Sequence, residues 1–239
     1  MSNYNFGLTT FDQSGKLTQL DNSLKAVSNG DTSLGIRAKN GVVIATEKKP
    51  HSPLVDVEDW DKVYKVSESI GCVYSGIGAD ARLLVRRARK RAEVYKRGYN
   101  ESIGTNLCAK NLGSIAQDFT QSGGVRPFGV SLLIAGYDQQ RGCQLYQVDP
   151  TGAWWCWKAS AIGKNQTNAK HFLEKRYNDD MELEDAIHVA LLTLKEGFDG
   201  DVTSKNIQLG VVRENKRTQK FQFDILTSDE VQDYLDQIS

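Results

Sequence analysis

Leu34-Gly35-Ile36-Arg37-Ala38-Lys39-Asn40-Gly41-Val42-Val43-Ile44-Ala45-Thr46 sets two runs rich in branched and apolar residues on either side of an Asn-Gly pair. Asn and Gly both tolerate positive φ, so this spacing predicts a tight antiparallel hairpin. Upstream, Leu17, Leu20, Leu24 and Val27 recur at helical spacing, and Asn29-Gly30 is expected to close that helix through left-handed residues. Before the helix, Tyr4 to Phe11 reads as an extended arm that ends in the turn Asp12-Gln13-Ser14-Gly15. Downstream, Lys48 to Asp61 carries Pro50 and Pro53 and reads as a loop. A second strand pair follows, Lys62 to Val66 and Ile70 to Ser75.

The rest of the chain alternates between pairs. Two helices are expected, about Asp80 to Tyr99 with Ala81, Leu84, Val85, Ala88, Ala92 and Tyr95 in one stripe, and about Thr105 to Gln121, ended by Gly123-Gly124. Four strands come next: Phe128 to Gly136, Cys143 to Val148, and Ala153 to Trp157 leading into Lys158 to Ile162. The second and third are separated by the turn Asp149-Pro150-Thr151-Gly152. Helices at about Asn165 to Tyr177 and Glu182 to Glu196, a strand pair Ile207 to Val212 and Phe221 to Ile225, and a last helix opened by the capping box Thr227-Ser228-Asp229-Glu230 complete the order. Hairpin-linked strands with helices in pairs predict an α+β fold, two antiparallel sheets face to face with helices outside each, and not a βαβ array. With no linker or repeat, 1–239 reads as one domain, 1–30 being arm and helix and 31–239 the sandwich.

Composition excludes some classes. The 239 residues hold 30 basic and 30 acidic side chains, so no overall field favours nucleic acid or an anionic membrane. Cys72, Cys108, Cys143 and Cys156 lack metal-ligand spacing and are expected as reduced, buried thiols. No run approaches the roughly 20 apolar residues of a membrane span. The polar start, Met1 to Thr10, is unlike a signal peptide, so secretion is not expected. His51, His171 and His188 have no HExxH or triad-like setting. Ser75-Gly76-Ile77-Gly78 lacks P-loop spacing and reads as a tight strand-to-helix turn. No metal or cofactor is expected.

The element order, together with Gly-Val-Arg-Pro-Phe-Gly-Val-Ser-Leu-Leu-Ile-Ala-Gly at 124–136, resembles the α-type subunits of the proteasome core particle. Thr9-Thr10-Phe11, Ala45-Thr46-Glu47-Lys48-Lys49, Val73-Tyr74-Ser75-Gly76, Thr120-Gln121-Ser122-Gly123 and Phe172-Leu173-Glu174-Lys175-Arg176-Tyr177-Asn178 extend the likeness over nearly the whole chain. Glu182-Leu183-Glu184-Asp185-Ala186-Ile187-His188 is most similar to the second of the eukaryotic α paralogues. The resemblance implies a four-layer αββα sandwich of the Ntn-hydrolase type. It also implies a seven-membered outer ring with other α subunits, contact with the β ring, location in cytoplasm and nucleus, and a part in ATP- and ubiquitin-dependent protein degradation.

An N-terminal-nucleophile hydrolase needs Thr, Ser or Cys at the start of its first core strand, with a free α-amine as base. Aligning Gly35 with the family glycine puts Asp31 there, behind a retained helix. Glu47 and Lys62 fall near the acid and lysine of active relatives. The chain is therefore expected to be non-catalytic, with an active threonine peptidase as the alternative. The segment Asp80 to Arg97 carries Arg82, Arg86, Arg87, Arg89, Lys90, Arg91, Lys96 and Arg97 against two acids. An RNA-binding module is one reading of it. The resemblance implies instead a ring contact through Arg82, Arg86 and Arg89. It further implies a gate segment at Tyr4, Asn5 and Phe6, and a pocket for the C-terminal tails of regulatory particles formed by Lys62, Gly30 and Gly76. Asn22 and Gln13 depart from the tyrosine and proline usual in the family's gate cluster.

Overall fold

The computed structural model describes residues 9–50, 52, 54–57, 59–198, 200 and 202–238. The first elements are α1 (Thr18–Ser28), β1 (Ser33–Arg37), β2 (Val42–Glu47), β3 (Val63–Lys65), β4 (Ile70–Gly76), α2 (Gly78–Tyr99) and α3 (Thr105–Gln121). There follow β5 (Val130–Asp138), β6 (Gly142–Val148), β7 (Trp154–Trp157), β8 (Ala159–Ile162), α4 (Gln166–Arg176) and α5 (Leu183–Gly197). The chain ends in β9 (Ile207–Asn215), β10 (Lys220–Ile225) and α6 (Ser228–Asp236). One sheet has the order β10-β9-β2-β1-β8 and the other β3-β4-β5-β6-β7, every pairing antiparallel. The chain passes from the edge of the second sheet to the edge of the first at Lys158, between β7 and β8.

Three apolar clusters follow from the two-residue period of the strands, which sends alternate side chains to opposite faces. Outward-facing Leu34, Ile36 and Val43 of the first sheet pack with Ala186, Ile187, Ala190 and Leu191 of α5. Outward-facing Cys72, Leu132, Ile134 and Tyr146 of the second sheet pack with the stripes of α2 and α3. Val42, Ile44, Val63, Val73, Leu133, Leu145, Val212 and Phe223 fill the space between the sheets. The αββα layering expected above is what the residues form, and the Thr227–Glu230 capping box is present in both directions.

Several local expectations are corrected. The β1–β2 turn is closed by the Ala38 N–H donating to the Gly41 carbonyl at 2.9 Å, but neither Asn40 nor Gly41 has a positive φ. Asn40 is used through its side chain, whose Oδ1 accepts from the Leu183 N–H at 2.7 Å. Gly41 is needed because a Cβ there would come within 2.5 Å of the Val212 carbonyl oxygen and 2.9 Å of Leu183 Cδ2. Asn29 likewise ends α1 in ordinary helical geometry, φ −89°. In α1, Leu24 faces out at 37% exposure and Ser23 takes the inward place beside Leu20 and Val27. Of the four free cysteines, Cys72 and Cys108 are buried and Cys143 partly so, but Cys156 is exposed, because β7 is an edge strand and turns that residue to solvent.

The motif at 124–136 works through Asp80 in the first turn of α2. Its carboxylate accepts from Arg126 Nη1 at 2.7 Å and Nη2 at 2.9 Å, and from the Gly129 N–H at 2.9 Å. Burial pushes the Asp80 carboxyl up, but the Arg126 and Gly129 bonds outweigh it and leave it below the usual 3.8. A depressed carboxylate stabilises the fold above its unfolded value and loses that contribution as pH falls through the folded one. Asp80→Ala is therefore expected to cost roughly 2 kcal/mol near neutral pH. In urea unfolding, the gap from wild type should narrow once the pH falls below 3.8.

Candidate functional site

The end of the sandwich where β1 starts and β3 begins brings Asp31, Glu47 and Lys62 together. Lys62 enters from a loop and is fixed at its backbone: Gln208 Oε1 accepts from the Lys62 N–H at 2.8 Å and the Val63 N–H at 3.0 Å, while Gln208 Nε2 donates to Asp61 Oδ1 at 2.7 Å. The side chain then runs inward, and its ammonium donates to Asp31 Oδ2 at 2.8 Å and to the Glu47 carbonyl at 2.8 Å. It also lies 5.5 Å from the centre of the Tyr74 ring. Only 2% of the Lys62 side chain is exposed, against 30% of Asp31's. The pair thus joins the first sheet to the second, with the carboxylate on the solvent side of the ammonium.

Burial pulls the Lys62 ammonium below its usual value and Asp31 opposes that pull. Glu47 contributes its backbone oxygen to Lys62, not its carboxylate. The carboxylate lies 3.4 Å from the Lys49 ammonium, and Oε1 is buried without a hydrogen-bond partner. Burial raises the Glu47 carboxyl. Lys49 and the buried Thr32 hydroxyl oppose that rise. Glu47 and Thr32 border a cavity of about 150 Å³ closed by Asn165, Asn168, Ala169, Thr193, Glu196 and Gly197.

Acyl-transfer chemistry needs a nucleophile, a base and a reachable reacting centre. Here the first position is a carboxylate already spent on a lysine. The backbone nitrogen that would serve as base is a peptide amide, because Gly30 precedes it. That peptide is tied down on both sides: the Gly30 carbonyl accepts from the Lys164 N–H at 2.9 Å, and the Asp31 carbonyl accepts from Ser75 Oγ at 2.9 Å. Gly163, at φ +101°, lies against the Asp31 carbonyl so closely that a Cβ would come within 2.5 Å of it. Thr32, the hydroxyl nearest to Asp31 in sequence, is 3% exposed. The larger depression nearby, about 510 Å³, is lined by Lys48, Asp61, Gln208, Ile225 and the start of α6, with no histidine or cysteine among the described lining residues. Among the described residues no cluster of three or more His, Cys, Asp or Glu is arranged to hold a metal.

The other residues singled out in the sequence fall as follows. Gly30 and Gly76 meet: a Cβ on Gly30 would collide with the Gly76 nitrogen and come within 2.6 Å of Ser75 Oγ. Gly76 has φ +112°, which lets β4 turn sharply into α2. Lys62, Gly30 and Gly76 therefore do share one corner, but the lysine is buried and paired, not an open point charge. Arg82 and Arg86 stand exposed on α2, whereas Arg89 Nε donates to the Lys65 carbonyl at 2.8 Å. Arg87 stacks on the Phe119 ring at 4.9 Å, Lys96 pairs with Glu68 and Arg97 with Glu93. Half of the basic run is therefore engaged within the chain, while Arg82, Arg86 and Lys90 stay exposed four residues apart on one face of α2. His188 contacts Gln237 at 3.0 Å and stacks edge-on to Tyr234. Tyr4, Asn5, Phe6 and His51 lie outside the described residues. What spacing missed is the Asp31–Lys62 contact itself, since nothing in local periodicity links positions 31 residues apart.

A sandwich whose first strand is headed by a carboxylate paired with a buried lysine, where a hydroxyl or thiol nucleophile would be needed, defines a non-catalytic relative of the N-terminal-nucleophile hydrolases. The model of the proteasome subunit family matches residues 27–212, and the chain belongs to that family. Over 237 residues it is 56% identical to proteasome subunit alpha type-2-A of Arabidopsis thaliana, covering 99% of this chain and 98% of that one. It is 52% identical to proteasome subunit alpha type-2 of Dictyostelium discoideum over 234 residues, 98% of each chain. Against the same subunit of Trypanosoma brucei brucei it is 50% identical over 238 residues, the full length of both. The chain is accordingly a structural α-type subunit of the outer ring of the proteasome core particle, without catalytic activity of its own.

Proposed function

We propose that this subunit builds the outer ring with other α subunits, closes and opens the axial entrance through its arm at Tyr4, Asn5 and Phe6, and takes part in receiving the tails of regulatory particles at the corner of Lys62, Gly30 and Gly76. Its degradative role is ATP- and ubiquitin-dependent and is exercised in cytoplasm and nucleus. The observation that supports this best is the sealed head of β1. A fold kept intact around a disabled nucleophile position retains value as a surface, not as a catalyst. The solvent face of α2 supports a contact with the β ring. Arg82 and Arg86 are exposed there beside exposed Leu83 and Val94, a mixture of charge and apolar area suited to an acidic protein partner.

The test is assembly. Coexpressed with its partner subunits, the chain is expected in a particle of barrel mass by native mass spectrometry, and a chain that stays monomeric would contradict the proposal. Reversing both exposed charges (Arg82→Glu with Arg86→Glu) is expected to leave the chain folded but to lower the yield of joined α and β rings at least severalfold. An unchanged yield would remove α2 from that contact.

A further inference from the structure

We propose that Asp31 determines how strongly this subunit accepts a carboxylate-ended tail, because it already holds the position on Lys62 that such a tail would take. The proposal rests on the tail-docking reading above and adds to it a residue that competes from within the chain.

Three observations carry it. First, the Lys62 ammonium has two oxygen partners in place, Asp31 Oδ2 and the Glu47 carbonyl, each at 2.8 Å, and the Tyr74 ring beneath it. Second, the two partners differ in exposure. Lys62 is buried, while Asp31 retains 30% of its side-chain surface, so the carboxylate stands between the ammonium and water. Third, the backbone around Asp31 is fixed by Ser75, Gly163 and the Gly30–Gly76 contact, so only the Asp31 side chain can move out of the way.

An arriving terminal carboxylate therefore meets an ammonium whose charge is already matched. It can dock on Lys62 only by turning Asp31 out to solvent, which exchanges one charge-assisted hydrogen bond for another and yields little net gain. With the Asp31 charge removed and its shape kept, the same ammonium would be desolvated and short of an anion, and a tail carboxylate would satisfy it. Asp31 thus biases the corner toward tails that bind by other means, or toward none.

The assembled core particle carrying wild-type chain, Asp31→Asn, Lys62→Gln or both is titrated with a ten-residue synthetic peptide bearing a photoreactive group and a free C-terminal carboxylate. The same peptide with an amidated C-terminus is run in parallel. Labelling of this subunit is read by mass, which separates it from other pockets on the ring. Asparagine keeps the Asp31 shape and its acceptor oxygen, glutamine removes the Lys62 charge with a shorter neutral side chain, and native mass confirms assembly of each variant. Asp31→Asn is expected to lower the half-saturating concentration of the carboxylate peptide about tenfold, to leave the amide unchanged, and to lose the gain when Lys62→Gln is added. If Asp31→Asn binds like wild type while Lys62→Gln binds more weakly, the lysine receives tails and Asp31 does not compete: the inference fails and the docking reading stands. If neither substitution alters labelling, both fail.

Discussion

Phe223→Ala is expected to destabilise the chain by roughly 3–5 kcal/mol, one of the two largest effects foreseen for a single substitution. Phe223 is fully buried between the sheets, among Val42, Ile44, Val63, Val73, Leu133 and Val212. The space for its ring is made by two glycines, Gly71 on the second sheet and Gly210 on the first. A Cβ on either would fall on the ring, and one on Gly210 would also come within 2.8 Å of Val63 Cγ1. The Phe223 N–H donates to the Glu68 carbonyl at 2.8 Å, so the same residue ties β10 to the β3–β4 turn by its backbone. Removing the ring leaves a cavity whose walls are strands that cannot collapse without losing register. Gly71→Ala should act at the same place from the opposite side, by overpacking, at about 1–3 kcal/mol. Urea unfolding at matched protein concentration, which holds self-association fixed, measures both. A Phe223→Ala loss below about 1 kcal/mol would mean that the ring is not the packing element described.

Asp31→Ala is expected to cost a comparable amount, about 3–5 kcal/mol, for an electrostatic reason. It strips the buried ammonium of Lys62 of its counter-ion and leaves it the Glu47 carbonyl and such water as enters where the carboxylate stood. Asp31→Asn should cost distinctly less, because the amide oxygen still accepts the hydrogen bond. The pH dependence follows from the sign of the shift. Lys62 already titrates below its usual 10.5, with burial the larger cause. A lysine depressed in the folded state destabilises most where both states are charged, and that penalty is relieved as pH rises through the folded value toward the unfolded one. Without Asp31 the folded value falls further, so the penalty grows near neutral pH and its relief starts at lower pH. Thermal unfolding across the alkaline range should therefore show Asp31→Ala closing on wild type as pH increases. A constant gap across that range would show that the cost does not come from the buried charge.

How much of this was legible in the sequence differs by element. The long amphipathic helices were readable because their stripes are local: Ala81, Leu84, Val85, Ala88 and Ala92 announce α2 without reference to anything else. The β1–β2 hairpin was readable in outcome but not in cause. Asn40 serves a contact to Leu183, 143 residues away in sequence, and Gly41 makes room for the Val212 carbonyl, and no turn preference encodes either. Gly30 looked like a helix terminator and is a packing residue against Gly76, again a non-local fact. Leu24 fitted the helical stripe but faces out, because a three-turn helix can be rotated by one position without changing its pattern, and Ser23 satisfies its own hydroxyl on the Gln19 carbonyl at 2.9 Å. Ala153 to Trp157 and Lys158 to Ile162 were readable as two successive strands, but nothing local shows that they belong to different sheets. As for the site, Asp31 at the head of the first core strand could be placed by resemblance, and Lys62 and Glu47 with it. That the lysine is buried and bound to Asp31, with Glu47 offering only its carbonyl, depends on how two sheets meet.

The central claim is that the first core strand is entered through an uncut peptide and headed by a carboxylate neutralised by Lys62. Its most direct test is the intact mass of this chain recovered from assembled particles, after incubation with an electrophile that reacts with N-terminal threonine. The expected result is a chain uncleaved between Gly30 and Thr32 and carrying no adduct. A chain that begins at Thr32 and is labelled there would contradict the account.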